Sequence, residues 1–335
     1  MSDVTRWPQF ASGQRLSAKT WIDSDWTIGQ AASLACCLEA WAPKAGNVHP
    51  TASFHDMDYA DFLVSGIGIG PAMDSAAECG LGEVVMASIT ATRSRLAVNT
   101  NLGMVLLLAP LAKALAGWRA SHQPPGTNAS TTSTTFKGMR PTASELQSLV
   151  ALELENLTER DTAQVYDAIR MAKPGGLGKS DQHDIHAPPP SSLREAMAYA
   201  APIDAVARQY TNGFEEIFHV IVQWLVRGRN RGLELPALVC EVQLRWLARE
   251  PDGLIVRKAG AGVAAEAQQL ADLALVEWLE TGHFGVRWLA LDSFLRADGH
   301  RRNPGTTADL IAASLFVILT TQFPNQSTGS NGISE

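Results

Sequence analysis

The sequence predicts an all-α fold, a single large helical domain with a disordered polar insertion, and three observations carry that expectation. First, apolar residues recur at a helical period. In "ARQYTNGFEEIFHVIVQWLVRG", Tyr210, Phe214, Ile217, Phe218, Ile221, Trp224 and Leu225 share one stripe, while Glu215, Glu216 and Gln223 lie off it. Such a period, held over about four turns, marks one amphipathic helix. Second, many similar segments open on residues that cap helices. Third, alternating strand-type runs are nearly absent; the best candidate, "DGLIVRKAG" at 252–260, is short.

In chain order, the first helix starts near Thr27, and a second follows Asp56, read as the N-cap of "MDYADFLVSG". A third starts near Glu83. Asn101 stands at the entrance of a very apolar helix, "LGMVLLLAPLA" from Leu102. Ser144 opens another, Thr158 caps "ERDTAQ", and Ser191 or Ser192 caps "LREAMAYAA". Further helices start near Pro236, Gly262 and Phe284. The last is capped by Thr306 or Thr307, with Asp309 in its first turn.

Three stretches lack this order. Residues 1–25 carry no periodicity and read as an N-terminal arm, and residues 323–335 as a disordered tail. Between them, 26–322 forms the helical domain. Its segment 119–144, "RASHQPPGTNASTTSTTFKGMRPTAS", is too rich in Ser, Thr, Pro and Gly to pack and is expected to be a flexible insertion.

The 335 residues, 46% hydrophobic and 18% charged, suffice for a large core. A formal charge of −7 without a basic, aromatic-interleaved stripe excludes a nucleic-acid partner. "MSDVTRWPQF" has no signal-peptide core, and the longest apolar run is short for a bilayer and precedes Lys113, so no membrane is expected. Cys36, Cys37, Cys79 and Cys240 show no metal spacing and read as reduced thiols in a cytoplasmic protein. Trp246 and Trp278 suit core packing, with a homodimer interface as the alternative use.

Two glycine motifs invite a nucleotide reading and fail. Gly178-Lys179-Ser180 resembles the end of a P-loop, but the required glycine five positions earlier is Lys173, and the preceding "DTAQVYDAIRMAK" has a helical period. "GIGIGPAMDSAAECGLG" lacks the third glycine of a dinucleotide fingerprint and no strand leads into it. The candidates for chemistry are instead polar residues in apolar surroundings. A loop after Trp41 presents Lys44, Asn47, His49, His55 and Asp56. Asn99, Thr100 and Asn101 precede the apolar helix. Asp181, His183, Asp184 and His186 share a loop suited to Mg²⁺ or proton transfer, or to plain solvation. Arg257 and Lys258 sit beside glycines, and "NPGTT" before Asp309 suits an anion at a helix N-terminus.

Together, "EAWAPKAGNVHP…FHDMDYADF", "TNLGMVLLLAPLA", "VYDAIRMAKPGGLG…HDI", "SLREAMAYAAPIDAVARQYTNGFEEIF", "PDGLIVRKAG" and "NPGTTADLIAASLF" resemble, in order, the motifs of triphosphoribosyl-dephospho-CoA synthases over roughly 28–320. The resemblance implies an all-helical enzyme that transfers the 5-triphosphoribosyl group of ATP to the 2′-hydroxyl of 3′-dephospho-CoA, releasing adenine and making a prosthetic-group precursor. ATP is then a glycosyl donor, which needs no P-loop. Laid over the motifs, this chemistry assigns Lys44, Arg257 and Lys258 to phosphates. Asp56 and Asp184 become candidates for acid/base work or Mg²⁺, followed by Glu39 for catalysis and Asp309 for the metal. Asn47, Asn101 and Asn303 would orient ribose or adenine, with His55, Gly178 and Thr306 beside them. Citrate-lyase-type members usually read "PKPGLVD" where this chain reads "PKAGNVHP", so Ala45, Asn47 and His49 depart from the pattern, and the form resembles archaeal and planctomycete-like relatives. The alternatives are a related ATP-using transferase or ligase for another cofactor, such as a one-carbon carrier, and a non-catalytic nucleotide-binding protein of the same fold.

Overall fold

A helix that is apolar on all sides has no face to give to water and must be enclosed by others. The computed structural model, which describes residues 24–122 and 139–322, is arranged around two such helices. Most of the expected arm, the middle of the expected insertion and the expected tail lie outside the described residues. In chain order the helices are α1 (Ile28–Trp41), α2 (Tyr59–Gly68), α3 (Gly70–Asp74), α4 (Leu81–Arg93) and α5 (Leu102–Ser121). Then come α6 (Ala143–Glu155), α7 (Glu159–Ala172), α8 (Leu193–Ala200), α9 (Ala205–Asn212) and α10 (Val222–Asn230). The last five are α11 (Leu235–Arg249), α12 (Gly253–Ala259), α13 (Ala261–Thr281), α14 (Val286–Arg296) and α15 (Gly305–Thr320). Among the described residues no strand forms, only the isolated bridges His49–Ala52 and Thr142–Gln322.

The enclosed pair is α5 and α15. In α15 every residue is buried except Gly305 and Asp309, and the helix packs against both α1 and α5. Around them α4 lies along α7, where Gly82 N donates to Asp161 Oδ1 at 2.8 Å. A second, smaller core joins α11, α13 and α14 through Leu244, Ala267, Trp278, Trp288, Leu291 and others. Trp246 and Trp278 are both buried, and Trp278 Nε1 donates to Glu241 Oε2 at 2.8 Å, so both serve the core. At 20 residues α5 is long and apolar enough to cross a membrane, longer than its "LGMVLLLAPLA" start suggests, but 78% of its apolar window is buried inside the protein.

Several local expectations are corrected. The strand candidate 252–260 is helix α12, because Asp252 Oδ1 accepts from Leu254 N and Ile255 N and so starts a helix. The cap of α2 is Asp58, which takes Ala60 N at 2.8 Å, and this frees Asp56. Leu102 N is taken by Asn99 Oδ1, not by Asn101. Neither Thr306 nor Thr307 caps α15; Asp252 reaches over to do so. The long helix expected through 207–228 is broken. Gly213 ends α9 with φ 67°, Phe214 follows at φ 62°, and a π-helical turn over Ile217–Ile221 leads into α10. The apolar stripe survives because both halves pack on the same core. At the edges of the expected insertion, α5 runs to Ser121 and α6 starts at Ala143.

Pro110 lies inside α5, where its ring nitrogen cannot donate to the carbonyl of Leu106. Tyr210 fills that vacancy: its buried hydroxyl donates to Leu106 O at 2.6 Å. The Tyr210→Phe variant therefore leaves a buried carbonyl without a donor, and should lose about 1–3 kcal/mol of stability in urea unfolding while keeping its helical circular dichroism.

Candidate active site

Asp252 builds the floor of the site. With one oxygen it starts α12; with the other it accepts from Thr307 N at 2.8 Å and Thr307 Oγ1 at 2.7 Å. Burial raises its pKa, opposed by the bonds from Thr307 and Ile255 and by nearby Arg257. The N-terminal ends of α12 and α15 are thereby locked side by side. Between them and the N-terminus of α5 opens a cavity of about 520 Å³, which is also lined by the ends of α7, α8 and α9 and by loop residues 47, 56–57, 300 and 303.

Asp309 faces this cavity from an otherwise buried helix. Its carboxyl is pressed onto the backbone of α5 so closely that a Cβ at Gly103 would lie 2.0 Å from Oδ2. Burial, then the nearby carboxylates Glu39, Asp204 and Asp252, push its pKa well above the usual carboxylate range, opposed by Arg257. Thr306 lines the same wall.

The cations come from α12. Arg257 Nη1 donates to Asp204 Oδ2, while its buried Nε has no hydrogen-bond partner among the described residues. Lys258 is half-buried, and desolvation and then Arg257 lower its pKa. Across them runs the glycine loop after α7, where a Cβ at Gly175 would meet Lys258 Cε at 2.8 Å and one at Gly176 would meet Arg257 Cβ at 3.1 Å. Those two glycines let the loop cross the cations closely. Gly178, by contrast, is exposed and outside the cavity lining.

The loop after α1 supplies the opposite wall. Lys44 is corrected as a phosphate ligand: its side chain is 1% exposed, and Nζ is spent on Glu39 Oε1 at 2.8 Å and Glu39 O at 2.6 Å. Glu39, equally buried, is the partner of that ammonium and not a cavity group; burial raises its pKa, and Lys44 opposes the rise. Asn47 does line the cavity. Its Nδ2 donates to Asn303 Oδ1 at 2.6 Å, and its Oδ1 accepts from Gln243 Nε2 at 2.9 Å. Asn303 Nδ2 is left without a protein partner among the described residues. Asn101 lines the cavity too, but its amide is held between Thr92 Oγ1 and Ser65 O. Asp56 lies at the cavity beside His300 Nδ1 at 3.5 Å and His55 Nδ1 at 3.7 Å, with the His55 side chain 75% exposed.

Asp184 is not brought to this place. Its oxygens accept from Ser180 N at 2.8 Å and His186 N at 2.7 Å, which hold its pKa low and tie off an exposed loop. The expected Mg²⁺ set of Asp56, Asp184 and Asp309 is therefore corrected: the first and third line the cavity and the second does not. Among the described residues no three carboxylate, imidazole or thiol groups converge as metal ligands. Sequence reasoning passed over Asp204, Lys173 and His300, all of which line the cavity. Asp204 carried a readable signal, since an Asp after Pro202 and before "AVARQY" is an N-cap, and its Oδ1 accepts from Val206 N at 2.9 Å. His300 had only its place in a Gly-bounded loop before Asn303 and Pro304.

A methyl group at position 103 must displace the Asp309 carboxyl. Gly103→Ala should thus remove most turnover while costing little stability, because the short side chain can swing into the cavity; turnover measured beside the melting temperature checks this.

The sequence matches the model of the ATP:dephospho-CoA triphosphoribosyl transferase family over residues 25–327. Among solved structures, a protein from Archaeoglobus fulgidus assigned as a triphosphoribosyl-dephospho-CoA synthase shares the fold with a TM-score of 0.55 at 22% identity, covering 77% of this chain and 98% of its own. No curated protein matches the sequence. With the family match spanning nearly all the described helices, the chain belongs to the ATP:dephospho-CoA triphosphoribosyl transferase family.

Proposed function

We propose that the cavity between α5, α12 and α15 is where ATP yields its 5-triphosphoribosyl group to the 2′-hydroxyl of 3′-dephospho-CoA, with Asp309 as the acid for the departing adenine. The observation that carries this reading is the Asp309 carboxyl, the one charged group of α15 to face the cavity. A carboxyl whose pKa is pushed up keeps a proton to give at pH values where an ordinary one has lost it. As the C1′–N9 bond breaks, its electron pair passes to adenine, which takes the Asp309 proton on a ring nitrogen. C1′ gains oxocarbenium character, and the carboxylate left behind opposes that charge.

The triphosphate does not react and has only to be held. Arg257 and Lys258 hold it, with Lys173 from the glycine loop and the N-terminal turn of α15 at Thr306; that all four line the cavity supports this. A divalent ion arrives here as part of the ATP chelate. Asn303, oriented by Asn47 and Gln243, keeps Nδ2 for a ribose or base acceptor atom. No observation favours a ligase of another cofactor pathway over this reading.

Asp309→Asn should lower adenine release from ATP and dephospho-CoA by about 10²–10⁴-fold, followed by chromatography and mass spectrometry. Retained activity removes Asp309 from the reaction. The same variant has a pH signature. Because its pKa is raised on folding, Asp309 holds its proton in the folded chain over a window where the unfolded chain has released it, so it lowers native stability as pH rises through that window. The melting temperature of Asp309→Asn should match the native chain below the ordinary carboxylate range and exceed it increasingly above.

A further inference from the structure

Transfer to a hydroxyl needs a group to take the hydroxyl proton, and Asp309, as the acid, cannot serve both ends of the reaction. Asp184 is tied to its own loop, and Glu39 is enclosed with Lys44. His300 remains. It lines the cavity, and its Nδ1 faces Asp56 Oδ1 at 3.5 Å. Its ring is further fixed by edge contacts with Phe54, centroids 5.7 Å apart, and His55, centroids 5.6 Å apart. With Nδ1 turned to a carboxylate, the proton of the neutral ring resides there, and Nε2 is the free base; Nε2 has no partner among the described residues.

We propose that His300 is the base that takes the proton of the attacking acceptor hydroxyl, with Asp56 as the positioning residue that sets its tautomer and faces the imidazolium once formed. The inference rests on the transfer reading above. In the step, the acceptor oxygen bonds to C1′ as the C1′–N9 bond breaks. The hydroxyl proton goes to His300 Nε2, the C–N electron pair goes to adenine, and adenine takes the Asp309 proton. Both groups then exchange protons with solvent, so no oxidant or further reactant is needed.

The surroundings favour a neutral imidazole before the step. Desolvation and then Lys258 of α12 lower the His300 pKa, Asp56 raises it, and His55 from the same loop as Asp56 lowers it. On its own segment, Arg301 is turned away to Lys258 O at 2.7 Å. The 3.5 Å separation from Asp56 is long for a hydrogen bond, and catalytic contacts of this kind commonly shorten once substrate is bound.

The test follows adenine release and melting temperature in the native chain, His300→Gln, His300→Ala and Asp56→Asn. His300→Gln should fold normally, lose about 100-fold or more in kcat, and lack the acidic limb that the native pH profile shows. Added imidazole should restore part of the activity of His300→Ala, which a merely structural role would not allow. Asp56→Asn should lower kcat with little change in KM for ATP. A His300→Gln chain within a few-fold of native kcat, or one that keeps the native acidic limb, overturns the assignment of the base alone. A native chain that releases no adenine with both substrates overturns the transfer reading and this inference with it.

Discussion

The site hangs on the carboxylate of Asp252. Two of its four hydrogen bonds begin α12 and two seat the first turn of α15, so a single buried side chain decides how these helices meet. Four polar groups of the cavity are placed relative to that junction. Arg257 and Lys258 lie within about two turns of the cap on one helix, and Thr306 and Asp309 lie on either side of the bonded Thr307 on the other. Gly253 lets α12 start this close to the next segment, since a Cβ there would meet Ile203 O at 2.5 Å. That contact also brings Asp204 to Arg257, and Asp204 in turn caps α9. Two aspartates thus perform the same task twice, each capping one helix while holding a group from another.

Behind the cavity the chain spends charges to keep a loop rigid. The Glu39–Lys44 pair is removed from water, an arrangement that costs desolvation and adds little net stability unless other bonds complete it. Here they do so: Lys44 also meets the Glu39 carbonyl, Gln243 bonds both Ala45 N and Ala45 O, and Gly46 N is taken by Asp292 at 2.8 Å. Arg296, itself paired with Asp292, closes on Asn47 O at 2.6 Å. The outcome is an Asn47 side chain held between Gln243 and Asn303 with no freedom to turn. The family's first motif is a frame here rather than a set of ligands, which accounts for how Ala45, Asn47 and His49 sit: all three are buried.

Periodicity and caps made the fold legible. The all-helical class and the boundaries near Thr27, Thr158 and Ser192 follow from local rules that tertiary contacts did not override, while the stripe from Tyr210 to Leu225 keeps its apolar face but not its single helix. Where the reading failed, a competing carboxylate had intervened. Asp58 outcompeted Asp56 as a cap by two residues, and Asp252 capped a helix that begins over 50 positions later. The site was legible as a set of motifs and illegible as a set of roles. Lys44 and Arg257 are both basic residues near glycines, yet one is sealed against Glu39 and the other lines a cavity. Burial made that difference, and nothing within a few residues of either records it. Asp184 misled for the opposite reason, since a carboxylate among Ser, His and Gln reads as a ligand while its donors are the backbone amides of Ser180 and His186 in the same loop.

The rejected P-loop returns here as a physical point. In phosphoryl transfer the reacting atom is phosphorus, so a loop of amides must wrap the phosphates and follow their charge through the transition state. In glycosyl transfer the phosphates are a handle and the charge develops at C1′, so holding and reacting groups can come from different parts of the chain. The proposed roles divide in this way. The cations stand on α12 and on the loop after α7, whereas His300, Asn303, Thr306 and Asp309 all belong to one ten-residue stretch that passes from loop into α15. Of the glycines before Lys179, Gly175 and Gly176 approach α12 closely, where the absence of a side chain clears Lys258 and Arg257.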